Sequence, residues 1–205
     1  YNLFIIEDAA QAFSSRNNTG FLGTQSDVGC FSLSMAKIMA TGQGGFAVTN
    51  NANLANKLRA IRTHGVENVK DPQQWQMVGF NFRYTDIQAA IGIEQLKKIP
   101  SRKAHLIDIY QQYEQGLRMS PLTLIPADIE QGEVPIYAEF LVPNRNEWIN
   151  RLSENNIETR PFYPCINKAD YFDYFDINFP NAQLYGDQGL YLPSGPAQSI
   201  ENIKQ

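Results

Sequence analysis

Residues 31–37 read FSLSMAK, and residues 42–45 continue with GQGG. Lys37 therefore closes a stretch of small residues and precedes a glycine-rich turn. Upstream, residues 3–7 read LFIIE and Asp8 follows them directly. A short apolar run of this kind predicts a strand of a parallel sheet that is buried on both faces.

Two more runs predict strands, at residues 28–33 and 45–49. The chain thus places an acid after one strand and a lysine after the next. A carboxylate can keep the ring nitrogen of pyridoxal phosphate protonated, and a lysine amine can form a Schiff base with its aldehyde. Asp8 and Lys37 therefore predict an α/β domain that binds this cofactor at its strand ends.

The overall composition excludes several other classes of protein. The 205 residues are 43% hydrophobic and carry a formal net charge of −4, which gives no support for nucleic-acid binding. No apolar run is long enough for a membrane span. Cys30 and Cys165 lack CxxC spacing, which favours a reducing, cytoplasmic setting. His64 and His105 are far apart, so we predict no metal site.

Helical periodicity appears in the middle of the chain. We predict helices at residues 52–63, 85–98 and 101–118, and the second begins with a capping box of Thr85 and Gln88. After residue 119 the sequence pattern predicts strands and a further helix. We therefore predict a large domain over residues 1–118 and a small α+β domain over residues 119–205.

Several segments together resemble the DegT/DnrJ/StrS sugar aminotransferases. They come in the order of that family and span almost the whole chain, which makes the combination specific. These segments are residues 6–12, 31–37, 41–45, 62–65, 79–84, 86–96 and 189–194. Residues 157–164 also resemble the Arg-Pro-aromatic segment of perosamine-synthase-like members.

The resemblance implies the type I fold of pyridoxal phosphate enzymes, that of aspartate aminotransferase, with a mostly parallel sheet in the large domain. It implies transfer of an amino group from glutamate to a ketosugar linked to a nucleotide, by a homodimer. Members are longer than 205 residues, so we expect that an N-terminal portion of the large domain is missing from this chain.

The same resemblance gives roles to residues near the predicted strand ends. Lys37 is similar to the Schiff-base lysine, and Asp8 to the partner of the ring nitrogen. A helix N-cap is the alternative for Asp8. Gln11, expected one helical turn later, resembles a cofactor contact, and Ser32 resembles the serine that binds the phosphate. Their alternatives are an exposed helix glutamine and a strand serine bonded to backbone.

Four further residues are candidates on the substrate side or at the partner subunit. Asn81 resembles the asparagine that reaches the partner's cofactor phosphate, and Arg83 stands beside it. Arg160 could face a nucleotide diphosphate or the carboxylate of the donor. His64 either contacts substrate or only stabilises a helix C-terminus. The alternative for Asn81 and Arg83 is a turn with an ordinary surface arginine, and the alternative for Arg160 is the end of a surface strand.

Two other readings of the chain remain open at this point. A dehydratase on the same fold would carry histidine in place of Lys37. A truncated chain could lack activity and act only as a dimerisation or binding piece, because the expected missing portion carries cofactor contacts in the family. Absorbance of bound cofactor would separate the second reading from an aminotransferase.

Overall fold

The structure, a computed structural model, describes residues 1–70, 74–172 and 178–204. Contacts divide the chain into two units, one formed by Tyr1–Lys103 with Glu130–Val134 and the other by the remaining residues. The junction at residues 103 and 104 lies earlier along the chain than the boundary that the sequence suggests. The assignment of domains at residues 1–118 and 119–205 stays a prediction.

The first unit is organised around a sheet of three strands. The strands of this unit are β1 (Ile6–Asp8), β2 (Arg16–Asn17), β3 (Gly20–Phe21), β4 (Val28–Ser32) and β5 (Gly45–Val48). The sheet has the order β1-β4-β5, and β2 with β3 forms a separate hairpin. β1 and β4 are parallel, but β4 and β5 are antiparallel. The sequence predicts a mostly parallel sheet, and the pair of β4 and β5 differs from that prediction. A parallel pair needs a long crossover connection, usually a helix, whereas the loop between β4 and β5 has none and the chain reverses direction there.

The burial predicted for the first strand is wrong. The strand begins at Ile6 rather than at residue 3, and the apolar residues of the run are exposed. Their exposed fractions are 74% for Leu3, 58% for Phe4, 55% for Ile5 and 62% for Ile6. Within the described residues β1 pairs with β4 alone, so the run has a strand on one side only.

The helices begin and end close to where the sequence places them. They are α1 (Ala52–Arg62), α2 (Asp86–Lys97) and α3 (Ile99–Gly116). The capping box of α2 is formed as predicted, because Thr85 accepts the Gln88 N–H and the Gln88 side chain accepts the Thr85 N–H. Pro100 lies in the first turn of α3, where a backbone N–H has no helical partner to lose.

The second unit has a four-stranded antiparallel sheet in the order β6-β7-β9-β8. Its elements after α3 are β6 (Thr123–Leu124), β7 (Ala138–Leu141), α4 (Arg145–Glu154), β8 (Arg160–Pro161), a 3-10 turn (Ile166–Lys168), α5 (Pro180–Gln188), β9 (Gly189–Leu192) and α6 (Ile200–Lys204). One face of this sheet, with Phe140 and Leu190, packs on Ile109 and Tyr113 of α3. Helical spacing predicts one apolar stripe, of which Leu106, Tyr110 and Tyr113 are buried and Leu117 is partly buried.

None of the helices in the described part of the chain has both the length and the apolar character that a membrane crossing requires.

Candidate active site

Polar side chains gather at one edge of the first sheet, where β1 and β4 end. The two strands are parallel, with Asp8 opposite Cys30, and Ser32 is the last residue of β4. The Ala9 N–H donates to the Cys30 carbonyl at 2.9 Å, which extends the pairing to this edge. Since parallel strands end at the same edge of a sheet, Asp8 and Ser32 lie there together, and the turn that holds Lys37 follows β4 directly.

Asp8 is exposed and only partly engaged. Its Oδ1 accepts the Ala10 N–H at 3.1 Å, and Oδ2 has no hydrogen-bond partner among the described residues. No helix follows, so the N-cap alternative for Asp8 is wrong. The aspartate bonds to the backbone two residues on, which favours a turn over a helix.

Gln11 does not have the predicted helical position. It lies in a turn closed by the bond from the Ala12 N–H to the Ala9 carbonyl at 3.0 Å, and it is exposed. The expected spacing of one helical turn from Asp8 is therefore wrong. Its role as a cofactor contact stays a prediction.

Ser32 and Lys37 are both half-buried. The Ser32 hydroxyl lies 3.3 Å from the Ser34 hydroxyl and accepts the Ser34 N–H at 3.3 Å. The Lys37 N–H donates to the Ser34 carbonyl at 3.1 Å, which forms the turn. In the described part of the chain, the Lys37 amine has no hydrogen-bond or ion-pair partner. The edge thus offers an amine and a carboxylate oxygen without partners among the described residues, beside two hydroxyls that bond to each other.

The loop of residues 33–44, which we call the lysine loop, is tied down at several points. The Leu33 N–H donates to the Gly44 carbonyl, and the Thr41 N–H donates to the Leu33 carbonyl, both at 2.9 Å. Arg102 of α3 donates to the Ile38 carbonyl at 2.9 Å, and Ile38 itself is buried. These bonds hold the backbone immediately after Lys37.

The glycines of the lysine loop have a conformational role. Gly44 has a φ of 121° and lies against the ring of Tyr84, and a Cβ there would approach the Tyr84 ring to 2.8 Å. The Gln88 side chain donates to the Gln43 carbonyl at 2.9 Å. A side chain at Gly44 would therefore strain the backbone and collide with Tyr84.

Glu7 points away from Asp8 and is fully engaged. Its Oε2 accepts the Gly23 N–H at 2.6 Å and its Oε1 accepts the Gln25 N–H at 2.7 Å. Burial works to raise the pKa of this carboxyl, but the bonds from Gln25, Gly23 and Ser26 outweigh it and lower the pKa below its ordinary value.

A second group of candidates lies beside the end of α1. The segment of residues 80–82 runs along residues 61–64, with the His64 N–H donating to the Phe80 carbonyl at 2.9 Å. Asn81 accepts from Arg83 Nε at 2.9 Å, and both side chains are exposed. His64 is also exposed and has a φ of 59°. Within the described residues, none of the three is bonded to Asp8, Ser32 or Lys37.

Arg160 lies in the second unit, on the face of the sheet opposite to its core. Its guanidinium is 4.9 Å from the ring centroid of Tyr191, directly across the strand pair, and 5.9 Å from that of Tyr163. Burial raises the pKa of Tyr191, with Glu139 adding to the rise and Arg160 opposing it. The arginine is thus held by aromatic rings with its charge exposed.

The edge of the first sheet fits pyridoxal phosphate by the chemistry of its donors. Asp8 can accept from a ring N–H, Lys37 can reach an aldehyde, and the hydroxyls of Ser32 and Ser34 can donate to a phosphate. Across the described residues, no three His, Cys, Asp or Glu side chains are arranged to hold a metal ion.

Three residues of the site were missed by sequence reasoning. Glu7 lies in the segment of residues 6–12. Strand alternation could have shown that it faces away from Asp8, but not that it binds the backbone at Gly23 and Gln25. Gln88 was predicted as part of the capping box of α2, and nothing in the sequence indicates its additional hydrogen bond to the Gln43 carbonyl of the lysine loop. Arg102 had none either, since it is distant from Lys37 in the sequence.

Known proteins resemble this chain over most or all of its length. Residues 1–205 match the profile of the DegT/DnrJ/EryC1/StrS aminotransferase family. The GDP-perosamine synthase of Escherichia coli O157:H7 is 33% identical over 214 residues, which cover 98% of this chain and 56% of the relative. The chain therefore spans a little over half the length of the curated relatives that it matches.

Solved structures share the fold. The structure of S. venezuelae DesV in complex with a ketimine intermediate has a TM-score of 0.89 at 26% identity and covers 98% of this chain and 55% of its own. The E. coli GDP-4-keto-6-deoxy-D-mannose-3-dehydratase with bound hydrated PLP has a TM-score of 0.84 at 24% identity, over 98% of this chain and 59% of its own.

Proposed function

The chain belongs to the DegT/DnrJ/EryC1/StrS aminotransferase family, and we propose that it is the larger part of a pyridoxal phosphate enzyme that transfers an amino group to a ketosugar linked to a nucleotide. The donor in this proposal is glutamate. One observation carries it: Asp8 ends β1, the loop that holds Lys37 follows the parallel strand β4, and a carboxylate oxygen of Asp8 and the amine of Lys37 both lack partners among the described residues.

The residues of this edge would hold the cofactor as follows. Asp8 accepts a hydrogen bond from the ring nitrogen, and Ser32 donates to the phosphate, with Asn81 as a further phosphate contact from the partner subunit. Gln11, in the turn that follows Asp8, would be a further contact with the cofactor. Pyridoxal phosphate, when bound, supplies an aldehyde that an amine can attack and a ring that withdraws electrons.

Lys37 carries the proton transfers in this proposal. Its neutral amine would accept a proton from the substrate carbon in the donor half of the reaction, and its ammonium form would return a proton to the substrate carbon in the acceptor half. The bonds to the lysine loop at Ile38 and Thr41 restrain the backbone that carries this amine.

The substrate side rests on cationic residues. Arg83 and Arg160 are exposed arginines that could bind a diphosphate or a carboxylate through paired N–H groups. His64 is a further candidate contact. A homodimer is part of the proposal, as is a cytoplasmic setting, which the free thiols of Cys30 and Cys165 support.

Lys37 favours a transferase over a dehydratase of the same fold, since the dehydratases of this family carry histidine at the lysine position. The likeness to the E. coli dehydratase concerns the fold alone. The remaining alternative is a chain that is too short to bind the cofactor.

The proposal is tested by the absorbance of the purified chain with added pyridoxal phosphate, before and after borohydride. We expect a band at roughly 410–430 nm that borohydride converts to a permanent adduct on Lys37. Lys37→Ala should lose the band and the adduct, while Lys57→Ala on the exposed side of α1 should keep both. Absence of the band from the unmodified chain would support the inactive alternative.

If the band forms, amino transfer from glutamate to GDP- and dTDP-linked ketosugars is measured next. Transfer to any of them supports the proposed activity. Loss of a hydroxyl from the sugar without transfer of an amino group would instead establish a dehydratase.

A further inference from the structure

Glu7 and Asp8 are neighbours on β1 whose side chains point to opposite faces of the sheet. Asp8 faces the candidate active site, whereas Glu7 binds the turn that leads into β4. The Glu7 carboxylate accepts two backbone N–H groups of that turn, from Gly23 at 2.6 Å and from Gln25 at 2.7 Å. One ionised side chain thus joins the end of β1 to the approach of the strand that carries Ser32.

The turn that Glu7 binds is tightly packed. Gly23 is buried against the ring of Phe31 and the side chain of Ala9, and its carbonyl contacts Gly29. No side chain fits at Gly23 or at Gly29 without displacing these neighbours. The turn therefore has little freedom to follow β1 if the carboxylate lets go, and the strand end would move relative to β4.

A second carboxylate ties β1 at its other end. Asp27 Oδ2 accepts the Ile5 N–H at 2.8 Å, before the strand begins. The two acids make the same kind of bond to backbone, but only Glu7 acts at the edge where Ala9 pairs with Cys30. Asp27 is therefore a matched control for any effect that comes from general loosening of the strand.

We propose that Glu7 is a positioning residue, which holds the end of β1 against the turn of residues 23–25 and so sets the place of Asp8 relative to Ser32. The inference rests on the proposed function for its consequence in cofactor binding. The carboxylate does not touch the cofactor. It acts through the backbone that carries the two groups expected to bind the ring nitrogen and the phosphate.

The first test needs no cofactor and follows hydrogen exchange of single amides in the purified protein. In Glu7→Gln the side-chain oxygen can still accept one of the two backbone N–H groups. The side-chain NH2 is a donor and cannot accept the other, so one of the two hydrogen bonds is lost. We expect exchange at Ala9 to speed up about tenfold, the equivalent of one charge-assisted hydrogen bond, with little change at Ile5. Asp27→Ala, which removes the acceptor of the Ile5 N–H, should show the reverse. Equal acceleration at both amides in both variants overturns the inference.

The second test measures the dissociation constant for pyridoxal phosphate and the position of its visible band. Glu7→Gln should weaken binding about tenfold and shift the band, because the carboxylate at the ring nitrogen has moved, whereas Asp27→Ala should change the constant less than about twofold. Equal losses in the two variants overturn the inference and leave the proposed function standing. No binding by the unmodified protein overturns the proposed function, and the exchange experiment then decides the role of Glu7.

Discussion

The two faces of the first sheet differ in how completely their side chains are engaged. On one face, Phe31 and Phe46 lie opposite each other with stacked rings 4.7 Å apart, and Phe13 meets both edge-on. Glu7 on this face is saturated by backbone donors. On the other face, counting partners among residues 1–70, 74–172 and 178–204, Asp8 has a free oxygen and the Ser32 hydroxyl bonds only to Ser34.

This difference separates stability from chemistry within a single strand pair. Side chains with every partner in place lower the free energy of the fold and have nothing left for a ligand. Those with free donors and acceptors contribute little to folding but can bind a group from outside. Substitutions on the two faces should therefore have separable effects, and the following experiments are designed to break or sharpen that distinction.

Gly23→Ala should have the largest effect, and it should be on stability. Gly23 has a φ of 82° and no room for a Cβ beside Phe31 and Ala9. We expect a loss of about 3 kcal/mol or more in the free energy of unfolding, measured by urea denaturation. Gly20→Ala is the control, because it has a positive φ but open space around it. Equal losses in both variants would show that packing on this face is not the cause.

Asp8→Asn should come next, and it should affect only function. The neutral amide cannot stabilise a protonated ring nitrogen, so we expect amino transfer to slow about 100-fold. The melting temperature should stay within the error of the measurement, since the one bond of the Asp8 side chain to the described part of the protein is to Ala10 in its own turn. A melting temperature that falls as far as that of Gly23→Ala would contradict the division between the faces.

Arg102→Ala should have a moderate effect that belongs to both classes. It removes the bond to the Ile38 carbonyl and frees the backbone beside Lys37. We expect a loss of about 1–2 kcal/mol in stability and slower trapping of pyridoxal phosphate by borohydride. Lys103→Ala, next in sequence, serves as the control. Trapping at the unmodified rate would mean that this tie does not position the lysine.

The smallest effect should be a dependence of stability on pH that comes from Glu7. Its pKa is lowered in the folded state, so its contribution is present above the ordinary value of 4.5 and is lost as the pH falls through the lower folded value. The free energy of unfolding should therefore drop less steeply below pH 4.5 in Glu7→Gln than in the unmodified protein. Identical slopes for the two proteins would show that the carboxylate is not held by these donors.

The sequence predicted best where a local pattern decides the structure. Thr85 and Gln88 formed their capping box because both partners lie within one turn of helix. The stripe of Leu106, Tyr110 and Tyr113 is buried because helical periodicity places these residues on one face. Asp8 ends β1 and Ser32 ends its parallel partner β4, so the predicted strands bring these two residues to one edge of the sheet, while their roles stay predictions.

Prediction failed where a side chain had a choice of partners. Asp8 bonds to the Ala10 N–H and makes a turn, so the expected helix through Gln11 does not form. The bond from Arg102 to Ile38 spans 64 residues, and nothing local indicates it. The apolar run at residues 3–6 was expected to be buried, but it is exposed. A strand pattern in the sequence shows that a run is apolar, and it does not show how many other strands pair with it.

The lysine loop also bears on how the gene can vary. Leu33 bonds through its N–H to Gly44 and through its carbonyl to Thr41, so the loop is a closed circuit whose length is set at both ends. Exchanges at exposed positions such as Met35 leave the circuit intact. A codon inserted or deleted between Leu33 and Thr41 would change the position of Lys37 relative to Ser34 and Ile38. In a collection of drifting sequences, this loop should accumulate replacements while keeping its length.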